Sequence, residues 1–171
     1  MHRLFIGLQL PDSFNQALAA WRMQHVDWPV RWTRATDLHL TIIAPWEVAS
    51  PQAAINAMQS LNGFFQPQTV QFDVIKFIHP EEPRMLWVEG QPNTELLDMK
   101  QRLHSVFERP TEEQAFRPHV TMARCWADQV QALKDQVETI SWPTTCNGLI
   151  LYESRIDHFG SRYKALATVS A

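Results

Sequence analysis

Glycine is scarce in this chain, with five in 171 residues. No Gly-rich phosphate cradle of the P-loop or dinucleotide type occurs, so nucleoside-triphosphate chemistry has no anchor. Cysteine is scarcer still. Cys125 and Cys146 fall in no metal-ligand spacing and make no disulfide framework, so both are expected as reduced, buried thiols. No apolar run approaches the ~20 residues that span a bilayer. The opening Met1-His2-Arg3-Leu4-Phe5-Ile6-Gly7-Leu8 meets Pro11 too soon for an export signal. The expectation is a cytoplasmic protein with no membrane partner. Lysine and arginine form no block and the net charge is −3, which speaks against coating a long duplex. Binding one nucleic-acid end needs only a local basic cluster and is not excluded.

What the chain does have is ordinary for a globular protein: 45% hydrophobic and 19% charged residues. Its length suits one domain or two small lobes sharing a core. Seven tryptophans are unusual, and most are expected in the core with one or two lining a cleft.

One tetrapeptide pattern, His-x-Thr-x, occurs twice in the layout. The first copy is His39-Leu40-Thr41-Ile42 and the second His119-Val120-Thr121-Met122. Each sits in a short apolar run with β-branched residues, which predicts a strand. Strand side chains alternate faces, so His and Thr two apart point the same way. Two such strands side by side would set two imidazoles and two hydroxyls around one small anion. One imidazole can then take a proton while the other gives one, as displacement at phosphorus requires.

The surrounding pattern predicts strands over Arg3–Leu10, Val30–Thr33, Leu38–Ala44, Val70–Ile78, Arg84–Glu89, Phe116–Ala123, Leu149–Tyr152 and Tyr163–Val169. Pro45 is expected to end the first motif strand. Helices are predicted from Asp12, as N-cap, to about His25; after Ser50-Pro51, with Gly63 closing it; and over Leu96–Phe107. A fourth is expected on Val130, Leu133 and Val137. Ile6 precedes His39 by 33 residues and Trp87 precedes His119 by 32, each interval holding strand, helix, loop and motif strand. The repeat implies two lobes about an approximate twofold axis, each an antiparallel-rich sheet with helices on its outer face. The fold class is α+β, a single two-lobed domain over residues 1–171, with the motif strands facing one cleft.

A lone histidine in a strand is usually structural; two at matching places in a duplicated layout point to function. His2, His25, His79, His104 and His158 are read as surface or structural. Paired histidines also suggest a metal, but zinc wants three or four ligands. Here threonine follows each histidine by two, and neither His-x-His nor His-Glu-x-x-His occurs, so no metal site is expected. Arg117 shares the face of His119 by alternation, whereas Arg124, five residues on, alternates to the opposite face. An arginine near the cleft would hold a phosphate through paired donors.

These residues resemble the 2H phosphoesterase superfamily, and within it the bacterial RNA 2′,3′-cyclic phosphodiesterase branch, historically called 2′-5′ RNA ligase. The likeness includes Arg3-Leu4-Phe5-Ile6 with Leu10-Pro11, Val30-Arg31-Trp32-Thr33 before Asp37-Leu38-His39, Phe116-Arg117-Pro118-His119 with Arg124, and Leu151-Tyr152-Glu153-Ser154 before Gly160 and Tyr163. It spans nearly the whole chain. Ala44-Pro45-Trp46 departs from the family's usual Phe-Leu-Gly-type stretch, which predicts a different loop after the first motif. The resemblance implies hydrolysis of a 2′,3′-cyclic phosphate, at an RNA or oligonucleotide 3′ end, to a 2′-phosphate, and in reverse an ATP-independent 2′-5′ ligation. It implies His39 as general acid, His119 as general base, Thr41 and Thr121 on the phosphate oxygens, Arg124 on the substrate, no cofactor, and a monomer. The competing class is a non-catalytic nucleotide- or RNA-binding module that keeps the cleft; turnover separates the two.

Overall fold

The computed structural model describes residues 1–112, 114–157 and 160–171. His158 lies outside the described residues. The chain runs β1 (His2–Gln9), α1 (Asp12–Met23), β2 (Arg31–Trp32), a 3-10 turn (Ala35–Asp37), β3 (His39–Val48), α2 (Gln52–Gln59), β4 (Gln68–Ile78), β5 (Met85–Gln91), α3 (Thr94–Val106), β6 (His119–Arg124), β7 (Val137–Cys146), β8 (Gly148–Asp157) and β9 (Gly160–Ser170). The class is α+β, and the strand pairings that bear on the site are all antiparallel. No helix among the described residues is long and apolar enough to cross a membrane.

The strand order is β7-β4-β5-β6-β3-β1-β8-β9, with β2 added to β6. Read from either end this order is the same kind of object: two four-stranded halves meeting at β6 and β3. Their junction is the pair Leu40 and Val120, the middle residues of the two His-x-Thr motifs. The halves correspond at an offset of eighty residues. Ile6 faces Ile43 and Gly7 faces Thr41; Leu86 faces Ala123 and Trp87 faces Thr121. The duplicated layout is therefore real, and the register aligns Trp87 with Gly7 rather than with Ile6.

Both correspondences contain the same irregularity. Between Ile6 and Gly7 the partner strand advances two residues, and between Leu86 and Trp87 it does so again. Ile42 and Met122 are the extra residues of two matching β-bulges. Each bulge turns two consecutive side chains into the core: Ile42 with Ile43, and Met122 with Ala123, all almost fully buried. Beyond a bulge the alternation is inverted.

Three expectations are corrected. Pro45 does not end β3, which continues to Val48. A second register shift in the β1–β3 ladder falls between Leu4 and Ile6, and Pro45 sits in it, where a missing N–H removes no ladder bond. The Ala44-Pro45-Trp46 stretch is accordingly strand rather than loop, and Trp46 packs against Phe107 and under Arg109. No fourth helix forms among the described residues. Val130 and Leu133 instead anchor short turns, Leu133 N–H to Val130 C=O at 2.8 Å and Gln136 N–H to Leu133 C=O at 2.9 Å, and Val137 opens β7. At the helix starts Pro11 and Pro51 hold the cap positions, one residue from the expected Asp12 and Ser50.

One core joins both halves. Leu4, Ile6, Leu8, Leu40 and Ile42 of the first and Phe72, Leu86, Val88, Val120 and Met122 of the second belong to a single buried cluster. Phe14 and Leu18 of α1 and Leu96 and Leu103 of α3 seal it. Asn93 caps α3 by accepting the Leu96 N–H at 2.8 Å. The scarce glycines include one with no alternative. Gly90 lies at the bulge where β4 shifts register between Phe72 and Val74, and its N–H donates to the Pro118 carbonyl at 2.9 Å, just before His119. A Cβ there would stand 2.1 Å from the Gln71 carbonyl oxygen. Gly90→Ala should therefore cost about 1–3 kcal/mol through overpacking. Urea unfolding checks this; an unchanged midpoint would show that β4 can retreat at no cost.

Candidate active site

The cleft over the β3–β6 junction has a volume of about 450 Å³. His39, Thr41, His119 and Thr121 all line it. Antiparallel register about Leu40 and Val120 sets His39 across from Thr121 and His119 across from Thr41. The two histidines are then diagonal neighbours, and such positions stand about 7–8 Å apart. That span suits two imidazoles with one phosphate between them.

Arg124 also lines the cleft, contrary to simple alternation. The bulge at Met122 explains it: the inversion returns Arg124 to the face of His119 and Thr121. Arg117 goes the other way. Its exposed side chain lines a neighbouring cavity, and only its carbonyl serves the motif.

The two imidazoles are held alike. His39 Nδ1–H donates to the Asp37 carbonyl at 2.7 Å, and His119 Nδ1–H to the Arg117 carbonyl at 2.8 Å. A carbonyl only accepts, so Nδ1 carries the hydrogen in both rings and Nε2 is the nitrogen that gains or loses a proton. Each hydrogen bond spans two residues within one strand entry, which fixes the ring before any ligand arrives.

The packing around each ring differs. His39 sits among Phe5, Tyr163 and Tyr152, with ring centroids 4.7, 4.9 and 5.6 Å away. His119 lies flat on Trp87, with centroids 3.6 Å apart and planes 13° apart. Burial is the leading influence on both and pulls both below the ordinary histidine value. The carbonyl bonds oppose it in each case. The Asp37 carboxylate also lifts His39, while the nearby His119 depresses it; Glu89 lifts His119. Asp37 is itself held by Arg34, whose Nε donates to Oδ2 at 2.6 Å. Glu89 stands opposite His119 in the β5–β6 ladder, is nearly fully buried, and takes the Lys76 ammonium on Oε1 at 3.0 Å.

The cleft's charge is the feature that sequence reading missed. Besides Arg124, its walls include Arg3, Arg31, Arg34 and Arg162, against the single carboxylate Asp37 among the described lining residues. Five guanidiniums converge here although the chain as a whole carries a net charge of −3. They come from β1, β2, the residue before the 3-10 turn, β6 and β9, so no sequence window displays the cluster. Among the described residues no group of three or more His, Cys, Asp or Glu side chains is placed to hold a metal ion. The arrangement can bind a phosphate by paired donors and move protons at two opposed nitrogens.

Two histidines facing one arginine-rich cleft on a duplicated antiparallel sheet make up the candidate site. The family model of the 2′-5′ RNA ligase superfamily matches residues 10–157, both motifs included, and the chain belongs to that superfamily. Phosphodiester chemistry is thereby its class of activity. Among solved structures, TT0787 of Thermus thermophilus matches with a TM-score of 0.76 over 98% of this chain and 97% of that one, at 18% identity, and speaks for the fold alone. E. coli LigT in its apo form matches at 0.75 over 99% and 96%, with 25% identity. LigT complexed with 3′-AMP matches at 0.71 over 99% and 97%, also with 25% identity. No curated protein matches the sequence.

The pKa directions give an expectation that needs no turnover. In an NMR titration of the histidine rings, His39 and His119 should titrate below ~6.5. Inorganic phosphate should move both upward, because an anion favours imidazolium. Glu89→Gln removes a lifting charge and should move His119 further down while leaving His39 nearly in place. Equal shifts in both rings would count against a local role for Glu89.

Proposed function

We propose that the protein hydrolyses 2′,3′-cyclic phosphates at RNA 3′ ends, or on nucleotides, to 2′-phosphomonoesters by two-histidine acid–base catalysis. The observation that carries the reading is the pair of imidazoles, each with Nδ1 committed to a carbonyl, lining one arginine-rich cleft. In this reading His119 Nε2 takes a proton from water as the water attacks phosphorus. The phosphorus–3′-oxygen bond breaks, and His39 Nε2–H protonates the departing oxygen. Thr41 and Thr121 donate to the non-bridging oxygens, and Arg124 offsets the charge that develops there. Each ring has one carboxylate that favours its imidazolium, Asp37 for His39 and Glu89 for His119, so either can carry the proton it must hold in turn. The assignment of His119 as base follows the family resemblance. LigT, a relative at 25% identity, has been crystallised with 3′-AMP, a ribonucleotide bearing a phosphate on the ring. The same site run in reverse joins a cyclic phosphate to a 5′-hydroxyl without ATP. The protein is taken to act as a cytoplasmic monomer.

The test is turnover of a 2′,3′-cyclic nucleotide with identification of the product by ³¹P NMR. The expected product is the 2′-phosphate, formed equally well with EDTA present. His39→Ala and His119→Ala should each remove most activity, with the double variant scarcely worse, because the pair acts as a unit. Near-normal rates in either folded single variant would sink the acid–base assignment. A 3′-phosphate product would keep the histidine chemistry and overturn the leaving group.

The hydroxyls and the pH profile are tested separately. Thr41→Val and Thr121→Val keep shape and lose a donor, and each should cost on the order of 10²-fold in kcat. The rate should be bell-shaped in pH, since one ring must be neutral and the other charged. Both rings are depressed in the free protein, so the maximum in kcat/KM should lie below pH ~6.5, and that in kcat at higher pH once the phosphate is bound. A sigmoidal profile with one limb would mean that only one histidine titrates in catalysis.

A further inference from the structure

A second cavity, of about 670 Å³, adjoins the cleft. It shares Thr41, Trp87 and His119 with the arginine cleft, whereas His39 lines the cleft alone. His119 is therefore the one of the two histidines, as described, that reaches both spaces. The two spaces differ in chemistry. The cleft is cationic. The second cavity is walled by Ile42, Ile78, Trp87 and Phe116, and its charges nearly balance. Lys100 is buried there over the Phe116 ring at 4.7 Å, with Nζ donating to Glu112 at 3.1 Å and to the Ile42 carbonyl at 2.6 Å. Glu89 is matched by Lys76.

Hydrolysis of a cyclic phosphate needs room for one nucleotide and a water. A cavity of this size beside the base is more than a water requires. It is large enough for a nucleoside, and aromatic walls suit a base. A neutral pocket also fits a strand end that carries a hydroxyl in place of a phosphate. We propose that the second cavity is an acceptor subsite, which takes a nucleoside with a free 5′-hydroxyl and presents that hydroxyl to His119. The inference rests on the two-histidine reading above and extends it to the choice between hydrolysis and ligation.

The step balances without a co-substrate. The 5′-oxygen bonds to phosphorus as the phosphorus–3′-oxygen bond breaks. The hydroxyl proton passes to His119 Nε2, and the 3′-oxygen takes a proton from His39 Nε2. A 2′-5′ diester and a free 3′-hydroxyl result. Occupancy of the cavity by nucleoside or by water then decides which product forms.

The experiment uses the full chain, cytidine 2′,3′-cyclic phosphate and rising adenosine. Adenosine should divert product saturably from cytidine 2′-phosphate to a 2′-5′-linked dinucleoside. Ala115→Trp and Ala44→Trp place bulk at exposed positions that line only the second cavity. Each should lower transfer on the order of tenfold while hydrolysis stays within about threefold. Adenosine should also shift the backbone amides of Ala115 and Phe116 in the resting protein. If the wild type hydrolyses the cyclic phosphate but never transfers it, or if the bulky variants lose both products in parallel, the acceptor assignment is overturned and the hydrolytic reading stands. Amide shifts confined to the arginine cleft would overturn it as well. If neither product forms, the two-histidine reading falls and takes this one with it.

Discussion

The antiparallel contact between β3 and β6 is the interaction on which the rest of the site depends. It is a short contact, registered at Leu40 and Val120, yet it joins two four-stranded halves into one sheet. Both residues of that pair are fully buried, so a slip by one position would turn Leu40 and Val120 outward and the histidines into the core. Burying the even positions of each motif is what presents the odd ones, His39 with Thr41 and His119 with Thr121, to the cleft. The hydrophobic register and the geometry of the candidate site are one constraint seen from two faces.

The paired bulges extend that constraint. Without Ile42 and Met122 as extra residues, alternation would carry position 124 away from the cleft. With them, Ile43 and Ala123 stay in the core and Arg124 returns to the cleft side. Bulges of this kind re-aim a side chain at a functional site without altering the strands on either flank. The near-total burial of the residues on both sides of each bulge holds it in place.

Much of this was legible in the sequence because it is local. His-x-Thr on a strand, the spacing of the two motifs, and the α+β layout all follow from alternation and periodicity over short windows. The arginine cluster was not legible, because Arg3, Arg31, Arg34, Arg124 and Arg162 meet only after five segments are assembled. Arg124 by itself was misdirected by alternation, since a bulge leaves no mark in composition. Pro45 misled in the opposite sense: proline usually closes a strand, and only the register shift against β1 shows why it does not here. The expected fourth helix rested on three apolar residues, a span too short to propagate and without a supporting cap.

The halves match in backbone and differ in chemistry at positions around the rings. Gly7 corresponds to Trp87, Gln9 to Glu89 and Ala44 to Arg124. Gly7 has little room for more than its hydrogen. A Cβ there would meet the Leu40 carbonyl oxygen at 3.1 Å and the His39 Cβ at 3.5 Å, so His39 takes its aromatic neighbours from Phe5, Tyr152 and Tyr163. Trp87 fills the matching place beneath His119. A twofold site with identical surroundings would give two imidazoles the same proton affinity and no preference for which donates. The proposed displacement needs one ring to give a proton and the other to take one. Glu89 faces His119 in the ladder where Gln9 faces His39, and the carboxylate that lifts His39 is Asp37 from its own strand entry, so the two rings differ in where their charged neighbours stand. The duplicated backbone places the two nitrogens, and the unmatched neighbours make their surroundings different.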